Sequence, residues 1–132
     1  MATSVLYNGD CSLEMNKIAD RSVELILTDP PYNLGSFMIN RSTNLSKMRD
    51  NFFANAGWDN LEFDDWVNHM DNFFADAARI IAVGGSMIVF MSIIKVETII
   101  KLAEKHGFYY KTTGLFLSHL IFESFGIGLS RF

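Results

Sequence analysis

The sequence predicts an α/β fold, and three observations carry that prediction. Val23–Thr28 (VELILT) and Ser86–Ser92 (SMIVFMS) are short apolar runs of the length of strands buried on both faces. Between them, Phe63 to Ala82 repeats its apolar residues with the helical period. A second helical segment, Val96–His106, leads into a third strand candidate, Phe108–Gly114 (FYYKTTG). Strands alternating with helices from Ser4 to Gly114 imply a parallel sheet with right-handed crossovers.

The chain of 132 residues has room for one domain with a modest core. Its 49% apolar and 20% charged content is ordinary for a soluble globular protein. The net charge of −4 argues against a broad phosphate-binding surface. A single cysteine, Cys11, excludes an internal disulfide and suits a reducing compartment. The first ten residues, MATSVLYNGD, have neither the basic region nor the apolar core of a signal peptide. Ile80–Ile94 is too short to span a bilayer and is split by Gly84-Gly85, so no membrane partner and a cytoplasmic location are expected.

In chain order, Ser4–Tyr7 is a strand candidate that closes on the turn signal Asn8-Gly9. Asp10 or Ser12 can cap a helical segment over Leu13–Ala19, and Cys11 reads as a small buried side chain. Asp20-Arg21-Ser22 turns the chain into the Val23–Thr28 strand. Leu34–Gly57 is rich in Asn, Ser and Gly, lacks a period, and carries Arg41, Lys47 and Arg49 as possible phosphate contacts.

In the long helix Phe63, Trp66, Val67, Met70, Phe73, Phe74, Ala77, Ala78 and Ile81 share one face as core. Asp64, Asp65, Asn68, Asp71, Asn72 and Asp76 take the other. Gly84-Gly85 is expected to end this helix, and Gly107 to follow the end of the next, whose inward residues are Val96, Ile99, Ile100 and Ala103. His69 has no ligand partner at helical spacing. His119 and Glu123 lack a third ligand, so no metal site is expected.

The most informative stretch is Asp29-Pro30-Pro31-Tyr32, directly after the Val23–Thr28 strand. Two prolines cannot continue a central strand, so the acid and the phenol ring sit beyond its carboxyl end, where open α/β sheets bind ligands.

This D-P-P-Y, extended by Asn33-Leu34-Gly35, resembles the catalytic motif of the DNA amino-methyltransferases, in the β-type motif order of the adenine-N6 and cytosine-N4 enzymes. Gly57-Trp58-Asp59 followed by the long helix resembles the same family, and the likeness runs over about residues 5–114. It implies a Rossmann-like S-adenosylmethionine-dependent methyltransferase sheet, double-stranded DNA as substrate, and catalytic roles for Asp29, Pro30, Pro31 and Tyr32. An exocyclic amine is a poor nucleophile because its lone pair is delocalised into the ring. Acceptors at Asp29 and the Pro30 carbonyl would draw its nitrogen toward sp³ geometry, while Tyr32 stacks on the flipped base. Asp29 in the first motif position points to adenine-N6. The resemblance also assigns Asp10, with Asp29, to the cofactor site. A helix cap is the competing role for Asp10.

Past Gly114 the resemblance stops. Leu115–Phe132 shows no sustained helix or strand period, and Phe125-Gly126-Ile127-Gly128 lacks the spacing and the acidic strand of a cofactor-binding glycine turn. The expected organisation is a catalytic portion at 1–114 and an atypical tail at 115–132, without the glycine-rich cofactor strand. The Val23–Thr28 strand would then present an unpaired apolar edge. Two readings follow: an adenine-N6 methyltransferase portion, or an inactive or assembly-dependent chain that needs a complementary polypeptide or a second copy. A different nucleotide-binding module, with Asp10 and Asp29 on a metal or ribose, lacks a phosphate-binding glycine loop.

Overall fold

The computed structural model describes residues 2–34, 61–117 and 123–131. The regular elements are α1 (Cys11–Glu14), β1 (Val23–Thr28), α2 (Phe63–Ile80), β2 (Ile81–Met91), α3 (Val96–Lys105), β3 (Phe108–Leu117) and β4 (Glu123–Arg131). Short 3₁₀ turns stand at Met15–Lys17 and Ile93–Lys95. Arg41, Lys47, Arg49, the Gly57-Trp58-Asp59 motif and His119 lie outside the described residues.

The four strands form one sheet in the order β1-β2-β4-β3. β1 and β2 are parallel, as expected, but β4 runs antiparallel to both β2 and β3. The sheet is therefore mixed rather than parallel throughout. The α3 crossover leaves a strand-wide gap between β2 and β3, and β4 fills it, pairing from Ser86↔Ser130 to Met91↔Phe125 on one side and from Phe108↔Arg131 to Leu117↔Glu123 on the other. The closing stretch thus forms a strand that sequence reading did not expect. Phe125, Ile127 and Leu129 do alternate with Gly126, Gly128 and Ser130, a period of two obscured by weak strand formers.

One sheet face builds the core. Met87, Val89, Met91, Ile127 and Leu129 are fully buried against Trp66, Met70, Phe74 and Ala77 of α2 and Ile99 and Ala103 of α3. Phe74 meets Phe108 edge-on, with ring centres 6.3 Å apart. The helical faces match the sequence pattern, with exceptions at the two ends of the α2 stripe: Ile81, though buried, belongs to β2, and Phe63 is exposed. Phe63, in the first turn of α2, is 49% exposed.

Three boundaries differ from expectation. α2 stops at Ile80, four residues before Gly84. Arg21 and Ser22 donate their backbone N–H groups to the Arg79 and Ile80 carbonyls, so the lead-in to β1 takes up two carbonyls that the helix end would leave open. Ala82–Gly85 then bulge from the ladder between the Val23↔Ile81 and Leu25↔Ser86 pairs, with Gly84 at φ +79°. Ser4–Tyr7 is not a strand, and Val5 and Leu6 are 73% and 93% exposed, with no strand paired to them among the described residues. The helical turn after it is shorter than Leu13–Ala19, and Cys11 at its start is exposed rather than buried. Gly107 does follow α3, at φ +83°.

β1 lies at one edge of the sheet and is not buried on both faces. Val23 and Ile26 pack against the core, whereas Leu25 and Leu27 are 55% and 63% exposed. An apolar edge strand of this kind is the outcome anticipated from the sequence. Among the described residues no helix is long and apolar enough to cross a membrane.

Candidate functional site

The carboxyl end of β1 releases the chain into Asp29-Pro30-Pro31-Tyr32 beside the end of β2, since Thr28 pairs with Val89. The prolines donate nothing to a ladder, so pairing ends there. Asp29 is exposed, and Pro30, Pro31 and Tyr32 are half-buried. The Tyr32 hydroxyl donates to Asp29 Oδ1 at 2.7 Å, so two of the sequence-predicted residues are joined directly. Asn33 follows with φ +52° and is 4% exposed. This left-handed turn, tolerated by asparagine better than by most residues, sends the chain inward to buried Leu34.

A contact that sequence reading missed ties this loop to α2. Trp66, 1% exposed, donates its indole Nε1–H to the Pro31 carbonyl at 2.9 Å. The sequence pattern places Trp66 in the core stripe, which is correct. The missing signal is chemical, because a buried tryptophan needs an acceptor for its N–H. Lys95, in the 3₁₀ turn after β2, sets its Nζ 5.1 Å from the centre of the Trp66 ring and 4.7 Å from that of Phe63. The two rings are themselves 5.9 Å apart. A cation is thereby held beside the loop.

Asp10 takes the capping role. Its Oδ1 accepts from the Ser12 backbone N–H at 2.9 Å at the start of α1. It remains exposed, and its carboxylate is engaged within its own turn rather than with Asp29. The segment is anchored from α2 by Arg79, whose guanidinium donates to the Met15 and Ile18 carbonyls at 2.8 and 3.0 Å and to Asp20 Oδ1 at 2.6 Å. No group of three or more His, Cys, Asp or Glu side chains suited to a metal exists among the described residues. His69 is exposed on the polar face of α2.

Chemically, the loop offers a carboxylate, proline carbonyls and a phenol ring at one strand end, a set that accepts hydrogen bonds from an amine and offers a stacking face.

The family model described as DNA methylase matches residues 23–123. Among solved structures, the chain is similar to a protein described as a candidate DNA modification methylase of Thermus thermophilus. A selenomethionine form gives 13% identity and TM-score 0.63 over 93% of this chain and 50% of that one. The same protein complexed with S-adenosyl-L-methionine gives 14% identity and TM-score 0.61 over 93% and 51%. The M1.HpyAVI–SAM complex gives 16% identity and TM-score 0.51 over 92% and 50%. The chain thus spans about half the length of these structures, and the shared α/β fold is what the likeness shows. No curated protein matches the chain.

Proposed function

Because this chain belongs to the DNA methylase family of N6/N4 methyltransferases, we propose that residues 1–114 carry the catalytic portion of an adenine-N6 DNA methyltransferase that acts on a flipped-out base. The observation that carries the reading is the Tyr32–Asp29 hydrogen bond at the carboxyl end of β1. It holds the acid and the aromatic ring in one unit on a loop stiffened by two prolines.

Asp29 and the Pro30 carbonyl accept hydrogen bonds from the exocyclic amine, which localises the lone pair on nitrogen for attack. Tyr32 presents its ring to the extruded base and keeps Asp29 in place through its hydroxyl. S-adenosylmethionine supplies an electrophilic methyl group when bound. The donor chemistry here fits it, since Asp10 and Asp29 are exposed carboxylates suited to an ammonium group and to ribose hydroxyls. Aspartate as the first motif residue favours adenine over cytosine. Double-stranded DNA is the substrate in this reading, and the setting is cytoplasmic.

The test is calorimetric titration of S-adenosylmethionine into the folded chain, followed by methyl transfer to unmethylated DNA. Saturable binding and N6-methyladenine that disappears in Asp29→Ala support the reading. Undiminished transfer in that variant overturns the role of Asp29, and N4-methylcytosine as product overturns the adenine assignment.

A second reading has its own observation, the exposed Leu25 and Leu27 on edge strand β1. In it the chain docks through that edge to a complementary polypeptide carrying the cofactor-binding portion. Sedimentation of the chain and of the Leu25→Lys/Leu27→Lys variant tests the stickiness of the edge. Self-association abolished by the lysines supports the reading, whereas a soluble monomer in both cases counts against it.

A further inference from the structure

Trp66 does more than fill the core. It is 1% exposed and gives its side chain's one hydrogen-bond donor to the Pro31 carbonyl, thirty-five positions earlier in the chain. A phenylalanine would fill similar space with no N–H to satisfy, so the indole at this position makes a bond that packing alone does not require.

The two prolines of the loop it grips offer no backbone donors. Pro30 and Pro31 therefore cannot tie themselves to β2 as an ordinary strand end does. Their carbonyls are what remain. Asp29 and Pro30 each precede a proline and are held to extended or polyproline conformations, in which successive carbonyls rotate by about a third of a turn. Fixing the Pro31 carbonyl against α2 therefore sets the rotational phase of the preceding peptide and the direction of the Pro30 carbonyl. The left-handed turn at buried Asn33 closes the loop on its other side. Lys95, 5.1 Å from the centre of the Trp66 ring, and the neighbouring Phe63 ring hold the indole in turn.

We propose that Trp66 is a positioning residue, whose indole N–H locks the Pro31 peptide so that the acceptors of Asp29 and Pro30 stay aimed at the target amine. The inference rests on the methyltransferase reading for what the acceptors do, and on geometry alone for the lock.

The experiment compares the full chain with Trp66→Phe, which keeps an aromatic body and deletes the donor. By NMR hydrogen exchange, the Tyr32, Asn33 and Leu34 amides should exchange about tenfold faster in the variant, the effect of one lost hydrogen bond, with Val89 and Ile99 unchanged. Unchanged loop exchange, or equal acceleration across the core, overturns the lock. In the unmodified chain the Trp66 indole proton should itself be strongly protected, and free exchange there also overturns it, whether or not the variant folds. Where the unmodified chain transfers methyl groups, Trp66→Phe should lower kcat with KM for S-adenosylmethionine unchanged. An unmodified chain that transfers none refutes the functional reading, while the exchange data still decide the lock.

Discussion

Arg79→Met should destabilise the chain by about 2–3 kcal/mol, and the figure follows from what the guanidinium touches. Methionine keeps most of the apolar stem and removes only the charged fork. Lost with it are bonds of 2.8 and 3.0 Å to the Met15 and Ile18 carbonyls, both part-buried. Charged donors to such carbonyls contribute about 1–1.5 kcal/mol each once water can partly replace them. The 2.6 Å pair with Asp20 adds under about 1 kcal/mol, since the Asp20 side chain is 71% exposed. At this chain length about 4 °C of Tm accompanies each kcal/mol, so thermal unfolding by circular dichroism should show a fall of roughly 10 °C. Asp20→Ala is the internal control and should stay within about 1 kcal/mol of the unmodified chain. A loss below about 1 kcal/mol in Arg79→Met refutes the argument that carbonyl anchoring holds the Asp10 segment. Equal losses in both variants would assign the effect to the exposed ion pair instead.

Tyr32→Phe removes the hydroxyl that holds Asp29 Oδ1 while keeping the ring, and should lower kcat about tenfold with base stacking preserved, as read from methyl-transfer kinetics. Gly85→Ala should cost about 2–3 kcal/mol in urea denaturation, because its Cβ would lie 2.7 Å from Ile81 Cγ1 and 2.9 Å from the Ala82 carbonyl oxygen. The Asp71 carboxyl, on α2, is held below the usual carboxylate range by hydrogen bonds from Lys105 and from His106 at the end of α3. The folded chain then binds fewer protons there than the unfolded one. Its contribution is present above about pH 5 and is lost as pH falls below about 4. The stability gap between the unmodified chain and Asp71→Asn, measured by urea denaturation, should therefore narrow between about pH 6 and about pH 3.

The chain order of β1, α2, β2, α3 and β3 was legible in the sequence because each element carries its signal within its own residues. The apolar stripe of α2 recurs every three or four residues, the prolines after Thr28 end a strand from within, and Gly107 marks a helix end by the φ it adopts. The sequence placed Asp29 and Tyr32 together beyond one strand end, but it did not indicate the hydrogen bond between them, which the fold of the loop makes. Tertiary structure decided what depends on distant backbone groups. α2 ends at Ile80 because Arg21 and Ser22, some sixty positions upstream, satisfy its last carbonyls, so Gly84-Gly85 falls in a bulge instead. The Gly-rich closing segment became β4 because two strands lay one strand-width apart with open ladders on both sides, and paired backbone outweighs weak strand propensity. Ser4–Tyr7, with good strand residues, has no such partner among the described residues and lies outside the sheet. The Trp66–Pro31 bond and the Arg79 anchor belong to the same class, since a periodic pattern places a side chain on a face without naming the carbonyl its N–H will meet.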